Sequence, residues 1–469
     1  MRHPPTYIRT DLPCLAILTL PSALLFALFA AFGPGELGLG LFAHYRFNND
    51  NFRYMAPVLD AVRQVVEGGA FPFWNPFQGY GMELWATGSK DPLLQFLVLA
   101  MPTLDAMVLT GCVHMALGQV LFYGLARTLG QSRAGACLAA LAFGGCGYWA
   151  AYLYDQAILG FALFCVGILI AYARWRRRGS LGAWAAGALC TALAIAHGRP
   201  SGFLYFLIFF AAWQVRDALH APVARGFWRD LLRSGSAMLL MGMAGLALAA
   251  PLAWPFFVYL SQSARGLAES VSYLSQYMRW DHVHAWFFPS WQTSLAYYLP
   301  VAGFPLAWAA LRRSTRGGLP RFLGWTLLAV VLLQFPLGLF DLLRLIPGHE
   351  GAWSPVRFLP MAAIAFGLLT GAGFDALFAL SRPVPGDARV LKRFAVALGG
   401  LMVVYVGVVW ATAHTEWGLW EMVGVRTRDL NVRVGWGAWA TAGLAVAAWL
   451  LVGRFSRRAF ALFALALLP

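Results

Sequence analysis

Residues 156–178 read QAILGFALFCVGILIAYARWRRR, an apolar run that ends in a cluster of arginines. An α-helix rises 1.5 Å per residue, so about 20 apolar residues cross the roughly 30 Å of hydrocarbon in a bilayer. Loops rich in arginine and lysine stay on the cytoplasmic side of a membrane. The stretch therefore predicts a transmembrane helix whose carboxyl end lies in the cytoplasm.

Similar runs recur along the 469 residues, of which 60% are hydrophobic and 12% charged. The charged fraction is about half that of an average soluble domain, and the short alternating segments of a membrane barrel are missing. We predict an all-α polytopic transmembrane helix bundle of about 12–13 helices, forming one transmembrane domain over residues 1–469. The predicted spans are 14–33, 105–127, 134–153, 156–173, 181–197, 202–215, 236–257, 294–311, 322–340, 356–380, 393–413, 435–453 and one from about 459.

The chain has a net charge of +15. The positions of its basic residues decide the orientation, because 23 of the 35 lie in alternate loops. They place the N-terminus in the cytoplasm and predict a multi-pass protein of the bacterial inner (cytoplasmic) membrane. The working face is then extracytoplasmic, with a long first loop at 34–104 and a second loop at 258–293. Within the first loop, residues 51–67 predict a helix in the interface, and residues 93–101 a short re-entrant or interfacial segment. The six cysteines lack a CxxC pair and are interpreted as packing residues.

A first candidate site is Asn48-Asn49-Asp50-Asn51, followed by Arg53. A carboxylate at the membrane surface can accept a proton from an acceptor hydroxyl, or hold a divalent cation that neutralises a phosphate. Asn and Asp also favour turns and helix N-caps, so a solvated turn is the alternative.

A second candidate is the aromatic segment Phe71–Gly81, which contains Trp74 and Asn75 and leads to Lys90. Aromatic residues among Gly and Pro suit a surface on which sugars stack. They suit an interfacial aromatic belt equally well.

Two arginines at helix ends are candidate phosphate ligands. Arg199 lies in His197-Gly198-Arg199-Pro200 between two apolar runs, and Arg357 opens another. Arginine at membrane depth is unfavourable unless it meets an anion, and its planar guanidinium suits a lipid phosphate; snorkelling to water is the alternative for Arg199.

His282 and His284 of the second loop form an Asp-His-x-His motif that could bind a metal, with a hydrated loop as the alternative. A P-loop, a dinucleotide-binding glycine fingerprint, HExxH and GxSxG are all absent from the sequence. ATP-driven transport is therefore disfavoured, and no nucleotide is expected at the outer face.

Several segments resemble the YfhO-like bacterial membrane proteins of the GT-C glycosyltransferase class. The resemblance rests on Asn49–Phe52, on Gly69–Pro76, on Ala142–Tyr148, on His197–Pro200 and on Pro355–Phe358 with the helix that follows. It implies a GT-C-like enzyme that takes a sugar from a polyprenyl-phosphate donor and transfers it to a cell-envelope glycan or lipid. In that class an acidic residue of the first outer loop is the catalytic base or a metal ligand, and Asp50 is the matching position. The lone aspartate leaves open whether a divalent metal, Mg²⁺ or Mn²⁺, takes part.

The resulting hypothesis has Asp50 as catalytic base and Arg53, Lys90, His197, Arg199, Arg357, Trp74 and Asn75 as donor-phosphate or substrate-binding residues. The candidate metal ligands are Asp50, His282 and His284. The expected partners are membrane lipid, the lipid-linked donor and the envelope acceptor, without nucleic acid. Three alternatives stay open: a lipid-linked oligosaccharide flippase or other transporter, an O-antigen ligase or polymerase, and a structural scaffold.

Overall fold

A computed structural model describes the architecture of part of this chain. The described residues are 11–20, 22–24, 27, 56–69, 74–75, 82–83, 91–151, 156–197, 200–220, 226–262, 286, 298–300, 303–315, 318–335, 337, 339 and 355–378. The predicted spans at 393–413, 435–453 and from 459 lie outside them.

The described elements are almost all helical. The helices are α1 Ala56–Glu67, α2 Pro92–Ala100, α3 Thr103–Thr128, α4 Arg133–Gly144, α5 Gly147–Ala151, α6 Gln156–Arg178, α7 Leu181–Ala196, α8 Pro200–Leu219, α9 Phe227–Gln262, α10 Gly303–Arg313, α11 Leu319–Leu333 and α12 Leu359–Phe378. A 3-10 turn, Pro355–Phe358, precedes α12. Strands β1 (Trp74–Asn75) and β2 (Met82–Glu83) form an antiparallel pair in the first loop.

Five of these described helices contain segments long and apolar enough to cross a membrane. The segments are Thr103–Thr128, Ile158–Arg178, Gly202–Leu219, Phe227–Pro251 and Pro355–Leu377. The prediction of a polytopic helical membrane protein is confirmed. The total of 12–13 helices stays a prediction.

The chain divides into two compact units. The first comprises Met1–Gly130, Tyr152–Tyr277 and Leu328–Ala362. In it α7 packs against both α6 and α9, and α3 packs against α6. Large side chains such as Phe122 and Tyr205 are fully buried between these helices.

The first unit also holds the two short helices predicted for the first loop. Helix α1 is amphipathic and packs on α2 and α3, where the Thr103 hydroxyl donates to the Asp60 carboxylate. Helix α2 is nine residues long, too short to span, and its Leu94 and Val98 are buried. A helix within residues 51–67 is confirmed over Ala56–Glu67, and residues 93–101 fall in a short helix; the interfacial location of both segments stays a prediction.

The second unit comprises Gln131–Ala151, Met278–Leu327 and Ala363–Pro469. Its described helices approach closely through glycines: a Cβ on Gly373 would come within 1.8 Å of the Leu306 carbonyl oxygen. Ser132 caps α4, and both its backbone amide and its hydroxyl donate to the Asp375 carboxylate.

Three predicted spans are corrected by the structure. The span 134–153 is interrupted at Gly145-Cys146, because a glycine-rich stretch has low helix propensity. The span 294–311 is not helical at 298–300 and begins its helix at Gly303, since a residue before proline disfavours the helical region. In the span 322–340 the helix ends at Leu333, shortly before Pro336, because residues before a proline disfavour the helical region.

Candidate functional site: a buried Asp-His-His cluster

Three ionisable side chains meet inside the first unit. The Asp91 Oδ2 atom lies 3.3 Å from His114 Nε2 and 3.7 Å from His197 Nε2. The three side chains are 1%, 5% and 2% exposed, respectively. Ionisable groups buried in a membrane protein are unfavourable unless they pair or bind a ligand, so such a cluster indicates a functional site.

Asp91 is positioned by the start of α2. It is the N-cap of this helix, with Pro92 at the first helical position, where its missing N–H is not needed. Its Oδ1 atom accepts hydrogen bonds from the backbone amides of Leu93 at 2.9 Å and Leu94 at 3.3 Å. The cap holds the carboxylate so that Oδ2 is directed at both imidazoles.

The charge state of Asp91 follows from its surroundings. Burial raises the pKa of its carboxyl, but His197 and His114 lower it by more, so the pKa lies below the ordinary value for aspartate. The side chain is therefore an anionic carboxylate at neutral pH.

His197 ends helix α7. Its Nδ1 lies 2.6 Å from the Leu193 carbonyl oxygen one turn earlier. A carbonyl oxygen only accepts, so Nδ1 carries the proton, and Nε2 is the atom that faces Asp91. The ring packs against Phe164 of α6, and Gly160 leaves the space it occupies: a Cβ there would lie 2.1 Å from His197 Cδ2.

His114 comes from the first half of α3, a 26-residue helix. Its ring lies 5.9 Å from that of His197, edge to face. Its Nδ1 atom is buried and has no hydrogen-bond partner among the described residues, so Nε2 is the nitrogen that meets another polar group.

This arrangement permits two kinds of chemistry. Two imidazoles and a carboxylate can hold a metal ion, since one atom of each group lies within 4.8 Å of the others. The same groups can also pass a proton among themselves, because imidazole and carboxylate are the usual proton carriers inside membranes.

Of the predicted site residues that the structure describes, one belongs to this cluster. His197 is a member, and Asp91 directly follows Lys90 in the sequence. Trp74 and Asn75 form strand β1. The other six predicted site residues in the loops lie outside the described residues: Asp50, Arg53, Lys90, Arg199, His282 and His284.

Arg357, the other predicted phosphate ligand, lies in the 3-10 turn before α12. Next to it, Phe358 stacks on Tyr205 of α8 with ring centroids 4.0 Å apart. The Gln334 side-chain amide donates to the Pro355 carbonyl at 2.8 Å, and this hydrogen bond fixes the turn. The turn thus lies against α8, the helix that begins directly after Arg199.

Asp91 and His114 were not among the predicted site residues. The signal for His114 was present, because a histidine within an apolar span is a candidate functional residue. Asp91-Pro92 carried the signature of a helix start, which explains the aspartate without a site. Only the fold shows that it also faces two histidines.

Comparisons with known proteins give remote likenesses. No protein-family model matches the chain, and no curated protein matches it. Among solved structures, ArnT from Cupriavidus metallidurans bound to undecaprenyl phosphate shares 16% identity with a TM-score of 0.49, over 87% of this chain and 70% of that chain. The same ArnT in the apo state gives 16% identity and a TM-score of 0.47, over 88% and 70%. At these values the functional proposal rests on the residues of the site.

Proposed function

We propose that this chain is a membrane glycosyltransferase that moves a sugar from a polyprenyl-phosphate donor to a cell-envelope glycan or lipid at the extracytoplasmic face. The observation that carries the proposal is the meeting of Asp91 with His197. Their sequence neighbours Lys90 and Arg199 are cationic, and the same fold places the Arg357 turn against α8. Asp91, His197 and the Arg357 turn all belong to the first unit, and this supports a role for their sequence segments in one site.

The polar cluster lies on the outer side in the predicted orientation. Helix α3 ends in Arg127 and α6 in Arg176, Arg177 and Arg178, which the positive-inside rule places in the cytoplasm. The opposite end of α3 and the carboxyl end of α7, where His197 lies, then face outward. A donor phosphate arriving from the outer leaflet would meet this end of the bundle.

An apolar groove in the same unit supports a lipid-linked donor. Its volume is about 660 Å³, and it runs along α8 between α7 and α9. Phe203, Phe206, Phe210 and Met238 are among its lining residues. A polyprenyl chain is a long branched hydrocarbon, and such a groove suits it through van der Waals packing, because the chain is already surrounded by hydrocarbon in the bilayer.

In the proposed reaction Asp50 accepts the proton of the acceptor hydroxyl. The acceptor oxygen forms a bond to the anomeric carbon of the sugar, and the bond from that carbon to the donor phosphate oxygen breaks. Polyprenyl phosphate leaves with the bonding electron pair. Lys90, Arg199 and Arg357 stabilise the negative charge that develops on the phosphate, and this stabilisation is stronger in a site from which water is excluded.

The test is transfer from radiolabelled polyprenyl-phosphate sugars by the purified full chain in detergent, with envelope extract as acceptor. We expect transfer by the wild type and by Asp105→Asn, whose carboxylate is exposed at the start of α3. We expect Asp50→Asn to lose it by about 100-fold or more, the range for a positioned proton acceptor. Equal transfer by Asp50→Asn would remove the role of Asp50, and no wild-type transfer across several sugars would reject the function.

One observation favours a second candidate, a flippase for the same lipid-linked sugars. His114 lies about 17 Å along α3 by helical rise, closer to the middle of the membrane than a surface site requires. Transporters place ionisable groups near the midplane. Translocation of the donor in liposomes without any sugar transfer would support this candidate instead.

A further inference from the structure

We propose that Asp91, His114 and His197 together bind a divalent transition-metal ion of the zinc type. Binding of this ion does not depend on the sugar-transfer reaction.

The distances suit a single ion. Two ligand atoms that bind one zinc ion at about 2.1 Å in tetrahedral geometry lie about 3.4 Å from each other. The two distances from Asp91 Oδ2, 3.3 Å to His114 Nε2 and 3.7 Å to His197 Nε2, bracket this value. The remaining pair, the two imidazole nitrogens, lies within 4.8 Å, so the two rings have to approach each other for all three groups to share one ion.

The tautomer of His197 points to a cation between the groups. Its Nδ1 proton is committed to the Leu193 carbonyl, so in the neutral ring Nε2 presents a lone pair to the Asp91 carboxylate. With the ring neutral, these two acceptors repel each other unless a proton or a metal ion lies between them, and Nε2 has no hydrogen-bond partner among the described residues. A metal ion converts this repulsion into two favourable bonds.

Asp91 and His197 already make the supporting contacts that metal ligands require, whereas His114 Nδ1 has no hydrogen-bond partner among the described residues. Metal-binding histidines usually donate their other ring N–H to a carbonyl or carboxylate, as His197 does to Leu193. The Asp91 carboxylate is itself held by two backbone amides. The ligating atoms are thus oriented before an ion arrives.

The donor set selects the kind of ion. Imidazole nitrogen favours Zn²⁺ and its transition-metal neighbours, whereas Mg²⁺ and Ca²⁺ prefer oxygen ligands. Three protein ligands also leave one position of a tetrahedral ion open. If the proposed function holds, a donor phosphate oxygen would take that position, because the cluster adjoins the Lys90 and Arg199 segments.

The test is metal content and metal affinity of the purified full chain. After treatment with a chelator, the protein is titrated with Zn²⁺, and separately with Co²⁺, whose visible absorption reports nitrogen and oxygen ligands. We expect about one equivalent of either ion for the wild type. Asp91→Asn, His114→Gln and His197→Gln should each bind at least about 100-fold more weakly, since each removes a direct ligand and even supporting contacts contribute 10–100-fold.

His220 provides the matched control. It too contacts the carbonyl four residues earlier through Nδ1, at 2.7 Å from Arg216, but it is exposed and outside the cluster. His220→Gln should bind the ion as the wild type does. His197→Cys, which keeps a metal-binding atom, should recover part of the affinity, whereas a variant that fails to fold would show loss of helical circular dichroism.

Binding below about one tenth of an equivalent by folded wild type, or equal binding by wild type and His197→Gln, would overturn the proposal. A protonated His–Asp pair would then explain the cluster. The outcome is separable from the proposed function. Metal binding without sugar transfer rejects the transferase alone, and sugar transfer by a folded wild type that binds no ion in the titration rejects the metal site alone.

Discussion

The Asp91 carboxylate lies 3.7 Å from the His197 imidazole, although Asp91 precedes a short helix of the first loop and His197 ends a later apolar run. The contact joins α2, which is too short to cross the membrane, to the interior of the helical bundle. Both side chains are buried, so a pair of ionisable groups lies where the start of α2 meets the end of α7. Several consequences can be measured.

His197 should be necessary for sugar transfer. We expect His197→Gln to reduce transfer by about 10–100-fold, the range for loss of a residue that orients a site, because it removes the imidazole that faces Asp91. His220→Gln, at an exposed helix end with the same local contact, should leave transfer unchanged. The initial rates of label transfer by both variants provide the measurement. Equal loss in both would indicate a general effect on helix ends.

The candidate phosphate ligands should act on donor affinity. Arg199→Gln and Arg357→Gln each remove a charge-assisted hydrogen bond of about 1.5–3 kcal/mol, which corresponds to a roughly 10- to 150-fold weaker interaction with the donor. The dependence of the transfer rate on donor concentration measures this effect. Arg177→Gln, an exposed arginine at the predicted cytoplasmic end of α6, is the control and should not change the donor affinity. Unchanged affinity in both Arg199→Gln and Arg357→Gln would remove them from the phosphate site.

Filling the apolar groove should discriminate donors by chain length. A Cβ on Gly235 would meet nothing within 4 Å, so Gly235→Leu can fill the groove without a clash. We expect about 10-fold weaker use of long-chain polyprenyl donors, because about 1.4 kcal/mol of van der Waals contact is lost, and unchanged use of short-chain donors. The adjacent exposed Ser236→Leu is the control. Equal effects on both chain lengths would place the lipid elsewhere.

A glycine at position 160 should be required for the His197 imidazole to occupy its observed position. A Cβ there would overlap the imidazole at 2.1 Å, so Gly160→Ala forces the ring to move and destabilises the fold by about 1–3 kcal/mol. Gly124→Ala is the matched control, because its Cβ would meet Ile170 at an ordinary 3.8 Å. Thermal unfolding in detergent measures both. A Gly160→Ala protein as stable as the control would show that the ring is not held there.

An ion-pair network should fix the opposite end of the same unit. Arg176 of α6 lies 2.5 Å from the buried Asp230 carboxylate of α9, and it donates to the Asp217 carbonyl of α8 at 3.0 Å. Arg176→Gln should lower the free energy of unfolding by about 1.5–3 kcal/mol. Arg177→Gln, exposed on the same helix, should change it by less than about 0.5 kcal/mol. Similar unfolding temperatures for the two variants would contradict the role of the network.

The sequence by itself determined the class of fold and several of its local elements. Apolar runs and arginine clusters are local properties that a bilayer selects directly, so the helices at Thr103–Thr128 and Gln156–Arg178 were predictable from residue order alone. The amphipathic α1 was predictable from its helical spacing of apolar residues, and α2 was predicted only as a short segment that does not span the membrane. Helix breaks at Gly145-Cys146 and before Gly303 were missed, because apolar content masks local backbone preference when a span is assigned by hydropathy.

The tertiary structure alone decided the candidate site. Asp91, His114 and His197 lie in three different segments, and nothing in their spacing says that the segments meet. Their meeting depends on which faces of α3, α6 and α7 pack together, and on the space left by Gly160. Helix formation follows from local hydrogen bonds and membrane thickness, whereas helix contacts follow from side-chain shape across the whole bundle. That physical difference is why the fold class could be predicted from the sequence, while the cluster appeared only in three dimensions.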